Sequence, residues 1–184
     1  MKKKIKKTLS MLVVLCMVIG LLPGMTATAA AAASNPYVTV NNNVYLSEAK
    51  PYYVNGKAQS ANPGDATFGS NGYTAKLTLS GTDATLTLKN YNGGRIYYRY
   101  GNLTVEVNDS NVIDSPRYEG IGASGNLTVQ GGTANKETDS LTVTSANGCI
   151  SADGDLTIQD LKELNCSSTA VYNNCVKGNG ALTL

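Results

Sequence analysis

Gly101-Asn102-Leu103-Thr104-Val105, Gly125-Asn126-Leu127-Thr128-Val129, Gly154-Asp155-Leu156-Thr157-Ile158 and Gly180-Ala181-Leu182-Thr183-Leu184 are four versions of one five-residue phrase. In each, two aliphatic residues flank a threonine, the alternation of a half-buried strand. The same Leu-Thr-aliphatic triplet also begins at Leu77, Leu86 and Leu141. An aliphatic residue leads each phrase: Ile96, Ile121, Ile150 and Val176 stand seven, six, six and six positions before the leucine. The four leucines are spaced 24, 29 and 26 apart, and their leaders 25, 29 and 26. The two markers drift together, as the parts of one repeat must.

A unit of this length holds three short strands and three turns at about 3.3 Å per strand residue. One strand carries Ile121 and Ala123, or Ile150 and Ala152; the next carries Leu-Thr-Val. A weaker third is Val112-Ile113 in one unit and Leu141-Thr142-Val143 in the following one. Stacking copies about 4.8 Å apart in parallel predicts an all-β, right-handed parallel β-helix (a solenoid) over residues 73–184. Leu and Val would fill a narrow core, with Thr104, Thr128, Thr157 and Thr183 as an outward ladder. The glycine that opens each phrase is expected at a corner that needs positive φ. The Asn or Asp after it is expected to bond neighbouring backbone. Asn92-Gly93 and Asn147-Gly148 are expected to mark further corners. The window nearest to helical is Ile158–Asn165, where Leu161 and Leu164 could share a turn; a loop is the plainer reading.

The competing fold is an antiparallel meander or sandwich. Asn55-Gly56 and Asn71-Gly72 are hairpin signals, so residues 30–72 are expected to be a linker and a small antiparallel cap. Leu77 to Leu79 and Leu86 to Leu88, joined through Gly81-Thr82-Asp83, fit either a hairpin or the first coil.

Residues 1–29 read as a secretory signal peptide: Lys2, Lys3, Lys4, Lys6 and Lys7, an apolar run from Met11 to Leu22, then Ala27-Thr28-Ala29. The run is shorter than the roughly 20 residues of a membrane span, so none is expected after cleavage. Cleavage removes five of the 15 Lys and Arg and none of the 13 Asp and Glu, leaving a net charge of about −3. That argues against a nucleic-acid binder, which should carry a basic face. The chain stops inside a repeat strand at Leu184, which is expected of a piece of a longer surface protein or of a molecule that stacks on another.

There is no histidine and no tryptophan. His-based acid–base work and His metal sites are excluded, and the best sugar-stacking side chain is missing. Four tyrosines and two arginines crowd into Tyr91-Asn92-Gly93-Gly94-Arg95-Ile96-Tyr97-Tyr98-Arg99-Tyr100. If Ile96 faces inward, Arg95, Tyr97 and Arg99 face outward. With Tyr91 and, one coil later, Arg117 and Tyr118, they are the candidate ligand-binding set: flat rings with polar tips, and guanidinium forks that match a carboxylate. The other reading is packing on the cap. Asp153, Asp155 and Asp160 are the candidate calcium ligands, hard oxygens near one corner; the other reading is a polar turn. Cys149 and Cys175 precede Ile150 and Val176 at the same repeat position. Stacking would put them within reach of a disulfide or in a plain ladder, and Cys166 makes the count of surviving cysteines odd.

The phrases Thr85-Leu86-Thr87-Leu88-Lys89-Asn90, Gly101-Asn102-Leu103-Thr104-Val105-Glu106-Val107 and Gly125-Asn126-Leu127-Thr128-Val129 resemble the secreted, bacterial, clostridial-type carbohydrate-binding β-helix modules, in which G-[DN]-L-T-[IV] recurs once per coil. The resemblance covers residues 73–184. Ala181 and Leu184 depart from it. It implies a non-catalytic secreted or cell-surface module that binds plant-wall polysaccharide, including acidic pectin, and holds calcium. Two other functions remain open: a structural or adhesin spacer, and a calcium-dependent polysaccharide lyase with an arginine base.

Overall fold

The computed structural model describes residues 35–132, 136–169 and 174–184. The expected signal peptide lies outside the described residues. Strands β1 (Tyr37–Val40) and β2 (Val44–Ser47) come first, then β3 (Tyr52–Val54) and β4 (Lys57–Gln59). A single 3-10 turn at Asp65–Thr67 precedes β5 (Tyr73–Ser80) and β6 (Asp83–Lys89). The chain then runs through β7 (Asn92–Gly93), β8 (Ile96–Tyr98), β9 (Leu103–Asn108), β10 (Ser110–Ser115), β11 (Ile121–Ala123) and β12 (Leu127–Gly131). It ends with β13 (Ser140–Ser145), β14 (Ile150–Ala152), β15 (Leu156–Gln159), β16 (Glu163–Ser168), β17 (Val176–Gly178) and β18 (Leu182–Thr183). No α-helix occurs among the described residues, so none is long and apolar enough to cross a membrane.

The protein is all-β, with parallel ladders in three sheets. The first sheet has the order β17-β14-β11-β8-β1-β2, the second β18-β15-β12-β9-β6-β5-β3-β4 and the third β16-β13-β10-β7. From β8 onward the chain visits the first, second and third sheets in turn, and each visit pairs in parallel with the one before. This is compatible with a β-helix. The registers align like with like: Leu103, Leu127, Leu156 and Leu182 in one column, Ile96, Ile121, Ile150 and Val176 in another. Leu103, Leu127, Leu156, Ile96, Ile121 and Ile150, with Val105, Val129, Ile113 and Val143, point into one core; Val176 packs against it half-buried, and Leu182 at the end of its column is exposed. The threonine column Thr104, Thr128, Thr157 and Thr183 is in register on the outer face of the second sheet.

The N-terminal part is antiparallel. β3 and β4 turn through Asn55-Gly56, with φ of 48° and 79°. Asn71-Gly72 makes a second such turn between Ser70 and Tyr73. β5 and β6 form a hairpin with Leu77 opposite Leu86, and β6 also begins the parallel ladder with β9. β1 pairs antiparallel with β8 and, with β2 outside it, extends the first sheet.

Three local expectations need correction. The glycines of the repeat phrase are not positive-φ corners, since Gly101, Gly125, Gly154 and Gly180 are absent from the left-handed set. They are required by close approach instead: a Cβ on Gly125 would lie 2.6 Å from the Gly101 carbonyl oxygen. Asn92-Gly93 is a strand, β7, paired with Val112 and Ile113, whereas Asn147-Gly148 is a bend with Gly148 at φ 115°. Ile158–Asn165 is neither helix nor loop; it spans the end of β15, a corner and the start of β16.

Candidate functional site

The outer face of the first sheet presents Tyr97, Gly122, Ser151 and Lys177 as one register column. Each is the residue after the inward aliphatic leader, so period-2 alternation sends it out. Gly122 lets the Tyr97 ring lie along the sheet, because a Cβ there would come within 2.9 Å of Tyr97 Cδ2. The Tyr97 hydroxyl reaches Ser124 Oγ at 3.3 Å. The Arg95 guanidinium stands 4.2 Å from the Tyr97 ring centroid and 4.9 Å from that of Tyr118. It is also ion-paired with Glu119, the side chains of the pair being only 19% and 20% exposed. Such a sandwich holds all four side chains in place, each cation–π contact adding about 0.5–1 kcal/mol. The cap fixes it from below: Asn42 Oδ1 accepts from the Arg95 N–H at 3.1 Å, and Asn41 Oδ1 from the Gly94 N–H at 2.9 Å.

Above this stack runs a polar groove of about 330 Å³, lined by Glu119, Asn147, Ser151, Asp153, Asn174, Lys177 and Asn179 among others. Among the described residues, the side chains of Ser151, Asp153, Asn174, Lys177 and Asn179 have no hydrogen-bond or ion-pair partner in the chain. They present donors, acceptors and one of each charge across the width of the sheet. Tyr118, 51% exposed, precedes the groove residue Glu119 in the chain. A second groove of about 350 Å³ lies on the second sheet. There Thr87 is spent on Glu106 at 3.0 Å and Lys89 on Asp109 at 3.7 Å.

The expected binding set is therefore brought together only in part. Arg95, Tyr97 and Tyr118 meet. Arg117 is exposed next to Tyr118, its carbonyl accepting from Asn147 Nδ2 at 2.9 Å. Arg99 lies past the other end of β8, 5.6 Å over Tyr100, whose ring packs on Tyr37 and Tyr98. Tyr91 is not on the surface at all: it is fully buried. Its hydroxyl donates to the Gly94 carbonyl at 3.1 Å and accepts from the Asn41 N–H at 3.0 Å, which ties the cap to the core. Burial holds its phenol well above the ordinary range. Between Tyr91 and Ile96 the chain passes from β7 on the third sheet to β8 on the first, so alternation counted from Ile96 does not carry back to Tyr91.

The three candidate calcium ligands do not converge. Asp155 Oδ1 accepts the Ala181 N–H at 2.8 Å, as part of a corner ladder. Asp160 sits at a different corner, with φ 57° and an ion pair to Lys136. Asp153 lines the groove. Among the described residues, the only set of three metal-ligating side chains within 4.8 Å of one another is Cys149, Cys166 and Cys175. Glu119, Ser151, Lys177 and the groove asparagines were missed in the sequence. The signal for Ser151 and Lys177 was their place after each inward Ile or Val; the asparagines come from corners whose geometry the repeat does not specify.

The chain was compared with protein-family models, curated proteins and solved structures, and it matches none of them.

Proposed function

We propose that the three sheets are the faces of a right-handed parallel β-helix, and that the outer face of the first sheet is a polysaccharide-binding surface on an exported or cell-surface protein. The observation that carries this reading is the groove of uncommitted Ser, Asn, Asp and Lys side chains on the same sheet as the Tyr97–Arg95–Tyr118 stack, which it meets at Glu119. A sugar chain offers hydroxyls that donate and accept, and apolar ring faces that rest on tyrosine. A rigid sheet holds such groups in place before the ligand arrives, which lowers the cost of binding. Export rests on the basic, apolar and Ala-rich N-terminus, and the carbohydrate class also on the repeat's resemblance to secreted β-helix modules.

Charge refines the ligand. Arg95 is already neutralised by Glu119, and Asp153 offsets Lys177. A balanced groove favours recognition through hydroxyls over pairing with uronic acids, so neutral glycans are favoured over pectin. The commitment of Arg95 to Glu119 also deprives the lyase reading of one of its candidate bases. The spacer reading is favoured by the continuous corner ladder alone, which would serve any rod.

Retention of the purified chain on immobilised xylan, cellulose and pectin tests the proposal. Retention on a neutral glycan, weakened at least about tenfold by Tyr118→Ala or Lys177→Ala with an unchanged circular dichroism spectrum, is the expected result; tenfold corresponds to about 1.4 kcal/mol. No retention of folded protein on any of the three supports the spacer instead. Release of unsaturated sugar from pectin would demand the enzyme.

A further inference from the structure

One corner of the molecule, between the third and first sheets, changes its filling from aliphatic to thiol. Ile113, Val143 and Cys166 form one inward column on the third sheet. Gly120, Cys149 and Cys175 occupy equivalent places on the first, each just before the aligned Ile121, Ile150 and Val176. The result is three sulfurs within 4.8 Å of one another, Cys149 and Cys175 being 2.6 Å apart. Cys149 is wholly buried; the other two are half-buried. Its thiol donates to the Val143 carbonyl at 3.4 Å, and Ser145 Oγ lies 3.8 Å from its sulfur. Burial pushes the Cys149 thiol up to about 11 and raises the Cys166 thiol as well.

We propose that this corner is a soft-metal site in which Cys149, Cys166 and Cys175 together bind one copper(I) ion. The donor set decides the metal. The chain has no histidine. Among the described residues, no carboxylate joins the cluster. A structural zinc site takes four ligands in a tetrahedron, and cubane or rhombic iron–sulfur clusters take four protein ligands. Thiolates select copper(I), which is satisfied by few ligands. On binding, Cu–S bonds form as S–H bonds break, and the displaced protons leave to solvent; copper and sulfur keep their oxidation states. Metal–sulfur bonds of about 2.3 Å put trigonal sulfurs about 4 Å apart. Cys149 and Cys175 must therefore draw apart, while Cys166 is already in range.

A Cys149–Cys175 disulfide is the rival. It accounts for two of the sulfurs and makes Cys166 a bystander, so Cys166 separates the two. The test uses the full chain, isolated under non-reducing conditions for mass spectrometry, then reduced and titrated anaerobically with copper(I) against a colorimetric copper(I) chelator. Three free thiols, one equivalent of copper(I) withheld from the chelator, and proton release on binding are expected. Cys166→Ala should cost more than the tenfold to hundredfold that loss of an outer-shell partner costs, with an unchanged circular dichroism spectrum. Should Cys166→Ala not fold, Cys166→Ser, which keeps the size of the side chain, makes the same comparison. A Cys149–Cys175 bridge in the isolated chain, copper(I) left entirely with the chelator, or an affinity unmoved by Cys166→Ala would each overturn the proposal.

Discussion

A methyl group added at Gly125 would meet the Gly101 carbonyl oxygen at 2.6 Å and the carbonyl carbon at 2.7 Å, both backbone atoms that cannot swing aside. Gly125→Ala is therefore expected to destabilise the fold by about 1–3 kcal/mol, as overpacking does, measured as a lower denaturant midpoint. The approach is that close because the next residue builds a ladder. Asn102 Oδ1 accepts the Asn126 N–H at 2.9 Å, Asn126 Oδ1 the Asp155 N–H at 2.9 Å, and Asp155 Oδ1 the Ala181 N–H at 2.8 Å. That the Asn or Asp bonds neighbouring backbone was legible in the repeat. The role of the glycine was not, because a glycine in a sequence does not say whether it serves φ or proximity. Tyr91 is the other residue whose part is legible only in three dimensions. Tyr91→Phe leaves the Asn41 N–H without its acceptor and should cost about 1–3 kcal/mol. The buried phenols also set an alkaline limit. Tyr91 and Tyr98 are raised above their ordinary value, and Tyr73 is pushed up to about 12. A folded phenol that holds its proton more tightly than the unfolded one contributes fully below about pH 10 and loses that contribution as pH rises through the folded value. Stability should fall between about pH 10 and pH 12, and less steeply in Tyr91→Phe.

Strands were easier to read than corners. Period-2 alternation located β8, β9, β11, β12, β14 and β15, because their inward residues are aliphatic and recur in register. Even the weaker third strand was found, with Val112 opposite Thr142 and Ile113 opposite Val143. Corners follow no such rule. The step from second to third sheet turns on a single left-handed residue at Asp109, between β9 and β10. In the next circuit the same step takes residues 132–139, and this insertion is the main source of the 29-residue spacing. Asp139, the residue before β13, accepts the Asp109 N–H at 2.9 Å through its side chain and the Lys162 N–H at 2.9 Å through its carbonyl. Ile121 lies at the centre of its column, fully buried between Ile96 and Ile150. Ile121→Ala should cost about 2–5 kcal/mol. A much smaller loss in thermal or chemical unfolding would mean that the column is not a packed core.

At the scale of the whole molecule, the second sheet joins an antiparallel N-terminal region to the parallel ladder through β5 and β6. The outer column of the first sheet runs from Tyr97, beside which the cap's β1 pairs, up to Lys177. Of the expected surface patch, the sequence placed Arg95, Tyr97 and Tyr118 on one face but could not show that Glu119 would claim the arginine. The face's most useful groups, the free Ser, Asn, Asp and Lys side chains, are polar residues of ordinary turns and strands that only stacking gathers. The most direct measurement is a titration of the isotopically labelled chain with xylohexaose, followed by amide chemical shifts, with a hexagalacturonide as the acidic comparison. Saturable shifts confined to Gly122, Ser151, Lys177, Asn179 and their neighbours are the expected result. Shifts centred on Thr104, Thr128 and Thr157 of the second sheet, or no shift with either sugar in a folded sample, would contradict the account.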